Sequence, residues 1–108
     1  MTASIIDPAI VQIASANTEQ DLINNSGETR ELSLLINIAN NGTNDSNVEM
    51  WITNASNVKL FPLLPEASLP AKIGVSNSIK LVLKAGNKIR IAADSTDIYA
   101  MICPVSGL

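Results

Sequence analysis

Apolar and polar residues alternate with period 2 along much of this chain, which predicts strands rather than helices. The clearest run is residues 31–39. Leu32, Leu34, Ile36 and Ile38 fall on one face, and Glu31, Ser33, Leu35, Asn37 and Ala39 on the other. A helix would scatter these apolar positions around its circumference. Asn40-Asn41-Gly42-Thr43-Asn44-Asp45 ends the run with turn chemistry. Val48, Met50 and Ile52 then alternate with Glu49, Trp51 and Thr53, which predicts a strand pairing back as a hairpin.

A second hairpin is predicted further on. Ile79, Leu81 and Leu83 form an inward face that Ile89 and Ile91 continue after Ala85-Gly86-Asn87. A three-residue loop would collect Lys80, Lys84, Lys88 and Arg90 on the outward face. Like charges directly opposite one another destabilise a ladder. Such a face either meets an acidic partner or is a solvated surface that discourages edge pairing.

Two shorter alternations complete the count. Val11, Ile13 and Ser15 alternate with Gln12 and Ala14; Ile98, Ala100 and Ile102 alternate with Tyr99, Met101 and Cys103 until Pro104 and Gly107 stop the run. Residues 17–28 read as a polar connection with a turn at Asn24-Asn25-Ser26-Gly27. Residues 54–78 carry Pro62, Pro65 and Pro70, which exclude a central strand or helix interior. They read as a long irregular connection suited to contacting a neighbour. The expected fold is therefore all-β: a small antiparallel β-sandwich, jelly-roll or Ig-like, of about six strands. Residues 1–9 read as an extended N-terminal arm and 10–108 as one domain.

Composition narrows the function. The 108 residues are 46% hydrophobic, 3% aromatic and 16% charged. The charged share falls well below the usual quarter, and a surface that repels neighbours weakly suits permanent packing. The net charge of −3 argues against a nucleic-acid partner. It is unevenly spread: residues 1–57 hold seven acids and one base, whereas 58–108 hold three acids and six bases. Such a dipolar chain could make head-to-tail or self-complementary contacts.

The chain has no histidine and one cysteine, Cys103. Histidine-dependent triads and the usual structural zinc sites cannot be built, and no phosphate-binding glycine loop is present. Asp94 and Asp97 flank a turn that could bind calcium or simply bond to backbone. Glu31 and Glu49 could approach each other across the first hairpin, but with no other catalytic partner they name no reaction. No enzyme activity and no cofactor are expected. No segment is apolar enough to span a membrane, and with Asp7 and Pro8 interrupting the first apolar stretch no secretory signal is read.

From Arg30 onward the chain resembles a group of small virion proteins of tailed bacteriophages. The similarity rests on Glu31 to Ile38 before an Asn/Gly turn, on Val48-Glu49-Met50-Trp51-Ile52-Thr53, and above all on Leu81 to Ile91 with its Leu-X-Leu-X-Ala-Gly-X-Lys-Ile-X-Ile pattern; Asp97-Ile98-Tyr99-Ala100 closes it. The resemblance implies a β-sandwich structural component with no catalytic residue to carry over.

The leading expectation is a capsid decoration, or cement, protein on the capsid exterior that clamps major capsid subunits as a trimer. A tail, neck or fibre component is the alternative, and a carbohydrate-binding module, with Trp51 and Tyr99 exposed together, a third reading. Contacts are expected from Ile5 and Ile6 in the arm, from Phe61, Leu63 and Leu64 in the 54–78 segment, and from Lys80, Lys84, Lys88 and Arg90. Trp51 joins them as an anchor if its face is open to solvent; if both faces are covered, it is core.

Overall fold

The period-2 alternation resolves into eight strands in a computed structural model that describes residues 8–106. They are β1 (Ala9–Gln12), β2 (Gln20–Asn24), β3 (Arg30–Asn40), β4 (Ser46–Thr53), β5 (Lys59–Leu69), β6 (Gly74–Leu83), β7 (Lys88–Ala93) and β8 (Ile98–Ser106). They form two four-stranded sheets, ordered β1-β8-β3-β6 and β2-β7-β4-β5. All pairings are antiparallel. This order is that of a jelly roll, which settles the choice against an Ig-like sandwich.

The inward faces are those that the alternation specifies. Leu32, Leu34, Ile36 and Ile38 of β3 meet Val48, Met50 and Ile52 of β4 in the core, joined by Leu83, Ile89, Ile91, Ile98, Ala100 and Ile102. These side chains are almost purely aliphatic, so packing rests on branched shapes rather than on aromatic rings.

Four expectations are corrected. The fold has eight strands, not six. Most of the 54–78 segment is not an irregular connection but β5 and the start of β6. Proline is tolerated in β5 because β5 is the outer strand of its sheet, where an N–H can be missing without breaking a central ladder. Neither expected hairpin pairs: β3 and β4 lie in opposite sheets, as do β6 and β7. Finally, β8 continues through Pro104 to Ser106.

The expected arm lies almost wholly outside the described residues, and Ile5 and Ile6 with it; its last residue, Ala9, opens β1.

Two buried asparagines tie the sheets together at their turns. Asn25 Nδ2 donates to the carbonyls of Glu28 (3.0 Å), Leu83 (3.0 Å) and Lys84 (3.1 Å), linking the β2–β3 and β6–β7 turns. The Gly86 N–H donates back to the Asn25 carbonyl, with Gly86 at φ +86°, a conformation that favours glycine. Asn40 plays the same part for the β3–β4 and β5–β6 turns.

Candidate assembly surfaces

The residues expected to form a cationic face are dispersed. Lys80 stands on the outer face of β6 opposite Ser33, and Lys84 lies exposed in the following turn. Lys88 and Arg90 lie in the other sheet, beside β2 and β4. There they are neutralised. Arg90 Nη1 donates to Asp21 Oδ1 at 2.7 Å and to Asn57 Oδ1 at 2.9 Å, and Arg90 Nε stands 3.6 Å from Glu19. Lys88 Nζ donates to Asn57 at 3.0 Å and lies 3.9 Å from Asp21. Asn57 holds its position through a left-handed backbone, φ +66°, in a turn that Asn54 caps. The cluster is an internal staple of sheet β2-β7-β4-β5 rather than a surface awaiting an acidic partner.

The Lys88 and Arg90 side chains are largely buried while their carboxylates are partly exposed. Asp21→Asn is therefore expected to cost about 1 kcal/mol, between a surface pair and a charged buried hydrogen bond. Denaturant melts should show the wild-type advantage shrinking as salt is added.

Trp51 is also not a surface anchor. It points to the outer face of its sheet, level with Arg90 and Pro62, yet is only 2% exposed. Lys59 lies over the ring with Nζ 4.1 Å from its centroid and reaches Glu49 at 3.8 Å. Tyr99 is partly exposed on the other sheet. The paired aromatic platform that a carbohydrate-binding reading required is not formed.

The two acidic pairs are likewise accounted for. Glu31 and Glu49 sit in different sheets. Asp94 Oδ1 accepts from the Ser46 hydroxyl and from the Asn47 N–H, while Ser95 Oγ accepts from the Asp97 N–H. The Ser95 bond is an ordinary turn bond, and the Asp94 carboxylate ties the β7–β8 turn to the start of β4. Among the described residues no group of three or more potential ligands could hold a metal ion.

Two apolar surfaces remain. The first is the outer face of sheet β1-β8-β3-β6. Register places Gln12, Tyr99, Ala39 and Gly74 in one row, Ile10, Met101, Asn37 and Ser76 in the next, then Cys103, Leu35 and Ser78. No position in these rows is charged. Ile10 is 75% exposed there, and a shallow depression of about 420 Å³ runs between Ile10, Tyr99, Met101 and Ser76.

The second is the side where β5 and β6 border opposite sheets. The sandwich is open there. A narrow cleft of about 50 Å³ has Ile36, Ile38 and Met50 as its floor, with Leu63 and Leu64 of β5 on one rim and Val75, Asn77 and Ile79 of β6 on the other. Val58, Leu60 and Phe61 stand exposed on β5 and just before it, with Phe61 at 59%. Of the residues expected to make contacts, Phe61, Leu63 and Leu64 thus come together. Val75 and Ile10 were missed; single apolar residues beside small polar ones gave no alternation to read.

No family model matches the chain, and no curated protein matches it. Among solved structures it is similar to the coat protein of tobacco streak virus, at 15% identity and a TM-score of 0.40, over 94% of this chain and 90% of that one. A likeness at that score does not indicate a function.

Proposed function

We propose that this chain is a structural subunit of a virion, a decoration protein of a tailed-phage capsid that packs against the major capsid protein and against its own kind. The observation that carries this reading is an uncharged area on the outer face of sheet β1-β8-β3-β6, three successive rows with eleven positions and no acid or base, with Lys80 and Glu31 lying beyond it. A free soluble domain would be expected to interrupt such a face with charge. Jelly rolls serve viral capsids, lectins and cupins, so the fold alone does not choose among them. The absence of histidine from the sequence argues against the histidine-based metal chemistry of a cupin-like enzyme. Burial of Trp51 argues against a lectin stacking platform built on it. The resemblance of residues 30–108 to tailed-phage virion proteins points the same way.

A decoration protein acts by adding modest contacts repeated many times over a shell. Counting its copies in purified virions against the major capsid protein tests this. A ratio near one per capsid subunit is expected. A ratio of a few percent would move the protein to the tail or neck, and absence from virions would end the structural reading.

A further inference from the structure

Each sheet of the sandwich has two outer strands, and three of the four are protected against pairing with another chain. Strand β1 has four residues. Strand β2 has five and a register shift between Asp21 and Ile23. Strand β5 carries Pro62 and Pro65, and three register shifts. Short length, bulges and proline are the usual means of blunting an edge.

Strand β6 has none of these. It runs ten residues, Gly74–Leu83, without proline and with one charge, Lys80. It pairs with β3 in unbroken register from Gly74↔Ala39 to Leu83↔Arg30. No described strand pairs with its other side. Its inward residues Val75 and Asn77 are exposed, Val75 at 46%, because the cleft beside β5 leaves them uncovered.

We propose that β6 pairs antiparallel with β6 of a second copy across a twofold axis, joining two four-stranded sheets into one of eight strands. Residues directly opposite in an antiparallel pair point to the same face. Only even-with-even and odd-with-odd registers therefore keep Val75, Ile79 and Leu81 of both copies inward. The longest overlaps that these registers allow leave one end residue of Gly74–Leu83 unpaired and centre the axis at Ser78 or Ile79. With Ser78 on the axis, Val75 faces Leu81 of the second copy and Lys80 faces Ser76. Both centres keep the two Lys80 ammonium groups from standing opposite each other.

The choice of a second copy over an unrelated strand rests on this self-complementarity. One contact covers the open, apolar side of both molecules, and the sole charge on the strand finds a neutral partner. The pairing rests on reading the β5–β6 side as an assembly surface and not on the virion assignment. A chain that dimerises but is missing from virions keeps the first and loses the second. A twofold contact is also a different operator from the trimer expected from sequence.

The test is sedimentation and light scattering of the full chain at micromolar to hundred-micromolar concentration. A dimer is expected. Asn77→Lys places an inward charge on the edge at an exposed position and should raise the dimer dissociation constant at least tenfold, leaving the thermal midpoint of the monomer unchanged. Ser78→Lys is the second variant. Its side chain faces outward, away from the core, and it adds like charges beside the axis; it should dissociate the dimer too. A wild-type monomer or trimer would overturn the proposal. So would a dimer that survives both substitutions, or one abolished by deleting residues 1–7 but untouched by Asn77→Lys, which would assign the contact to the N-terminal segment.

Discussion

Asn40→Ala is expected to destabilise the domain by about 2–4 kcal/mol, a large share of the 5–15 kcal/mol that holds a typical domain folded. The residue is buried, and its side chain saturates one end of the sandwich. Nδ2 donates to the carbonyls of Asn44 and Leu69, each at 2.9 Å, and Oδ1 accepts from the Gly42 N–H at 2.9 Å. Its own backbone N–H donates to the Ile73 carbonyl. Alanine leaves two carbonyls and an amide without partners where water has little access, at about 1–3 kcal/mol for each group that stays unsatisfied. Asn40→Asp is the sharper comparison. It keeps the shape and the acceptor for Gly42, but turns a carboxylate oxygen toward two carbonyls. It should cost at least as much as alanine. Denaturant unfolding followed by circular dichroism measures both, with the m-value unchanged. A loss below about 1 kcal/mol for either variant would show that the turns do not depend on this side chain.

Asn40 also shows where the sequence was legible and where it stopped. Its turn was readable from Asn40-Asn41-Gly42, and so were the buried faces of β3, β4, β7 and β8, because each alternates cleanly. Strand β2 escaped notice because its register shift sits between Asp21 and Ile23, so that the adjacent Leu22 and Ile23 are both buried. A bulge erases the period-2 signal at the position where it acts. Strand β5 is obscured in the same way: Leu63 and Leu64 are neighbours and both half-buried.

Pairing was less legible than the strands themselves. Sequence-adjacent strands usually lie side by side. In this jelly roll only β4 and β5 do so; every other connection crosses between the sheets. The turn at Ala85-Gly86-Asn87 has the chemistry of a tight hairpin, yet it passes the chain from one sheet to the other, where Asn25 fastens it. A turn signal fixes a reversal of direction and not the sheet that the next strand enters. The cationic face failed for this reason, since it required β6 and β7 to share a ladder.

The uneven charge of the two halves has a related explanation. Glu49–Lys59, Asp21–Lys88, Asp21–Arg90 and Glu19–Arg90 each join an acid from the first 57 residues to a base beyond them. Strands β2 and β4 come from the acidic half, and β5 and β7, their ladder neighbours, from the basic half. Charge that looked available for contacts between molecules is consumed within one. On the opposite sheet the outer face carries Lys80 and Glu31 towards one end and leaves the rows from Gln12 to Ser78 uncharged and open for packing.

Trp51→Ala is expected to cost about 3–5 kcal/mol, the range for removing a large buried side chain. An interface anchor would behave in the opposite way, leaving the isolated chain stable and abolishing assembly. The indole is covered by Lys59 and lies between Arg90 and Pro62. Its Nε1 is buried with no hydrogen-bond partner. Trp51→Phe should therefore be far milder than alanine. It deletes an unpaired donor whose burial costs about 1–3 kcal/mol, and this offsets part of the lost contact. Lys59→Ala should cost about 0.5–1 kcal/mol through the cation–π contact and uncover the ring. The chain has one tryptophan, so its emission reports directly. Wild type should emit to the blue of exposed indole and resist acrylamide, and Lys59→Ala should shift the emission red and quench readily. Efficient quenching of the wild type would return Trp51 to the surface, and with it the aromatic platform that the carbohydrate-binding reading needs.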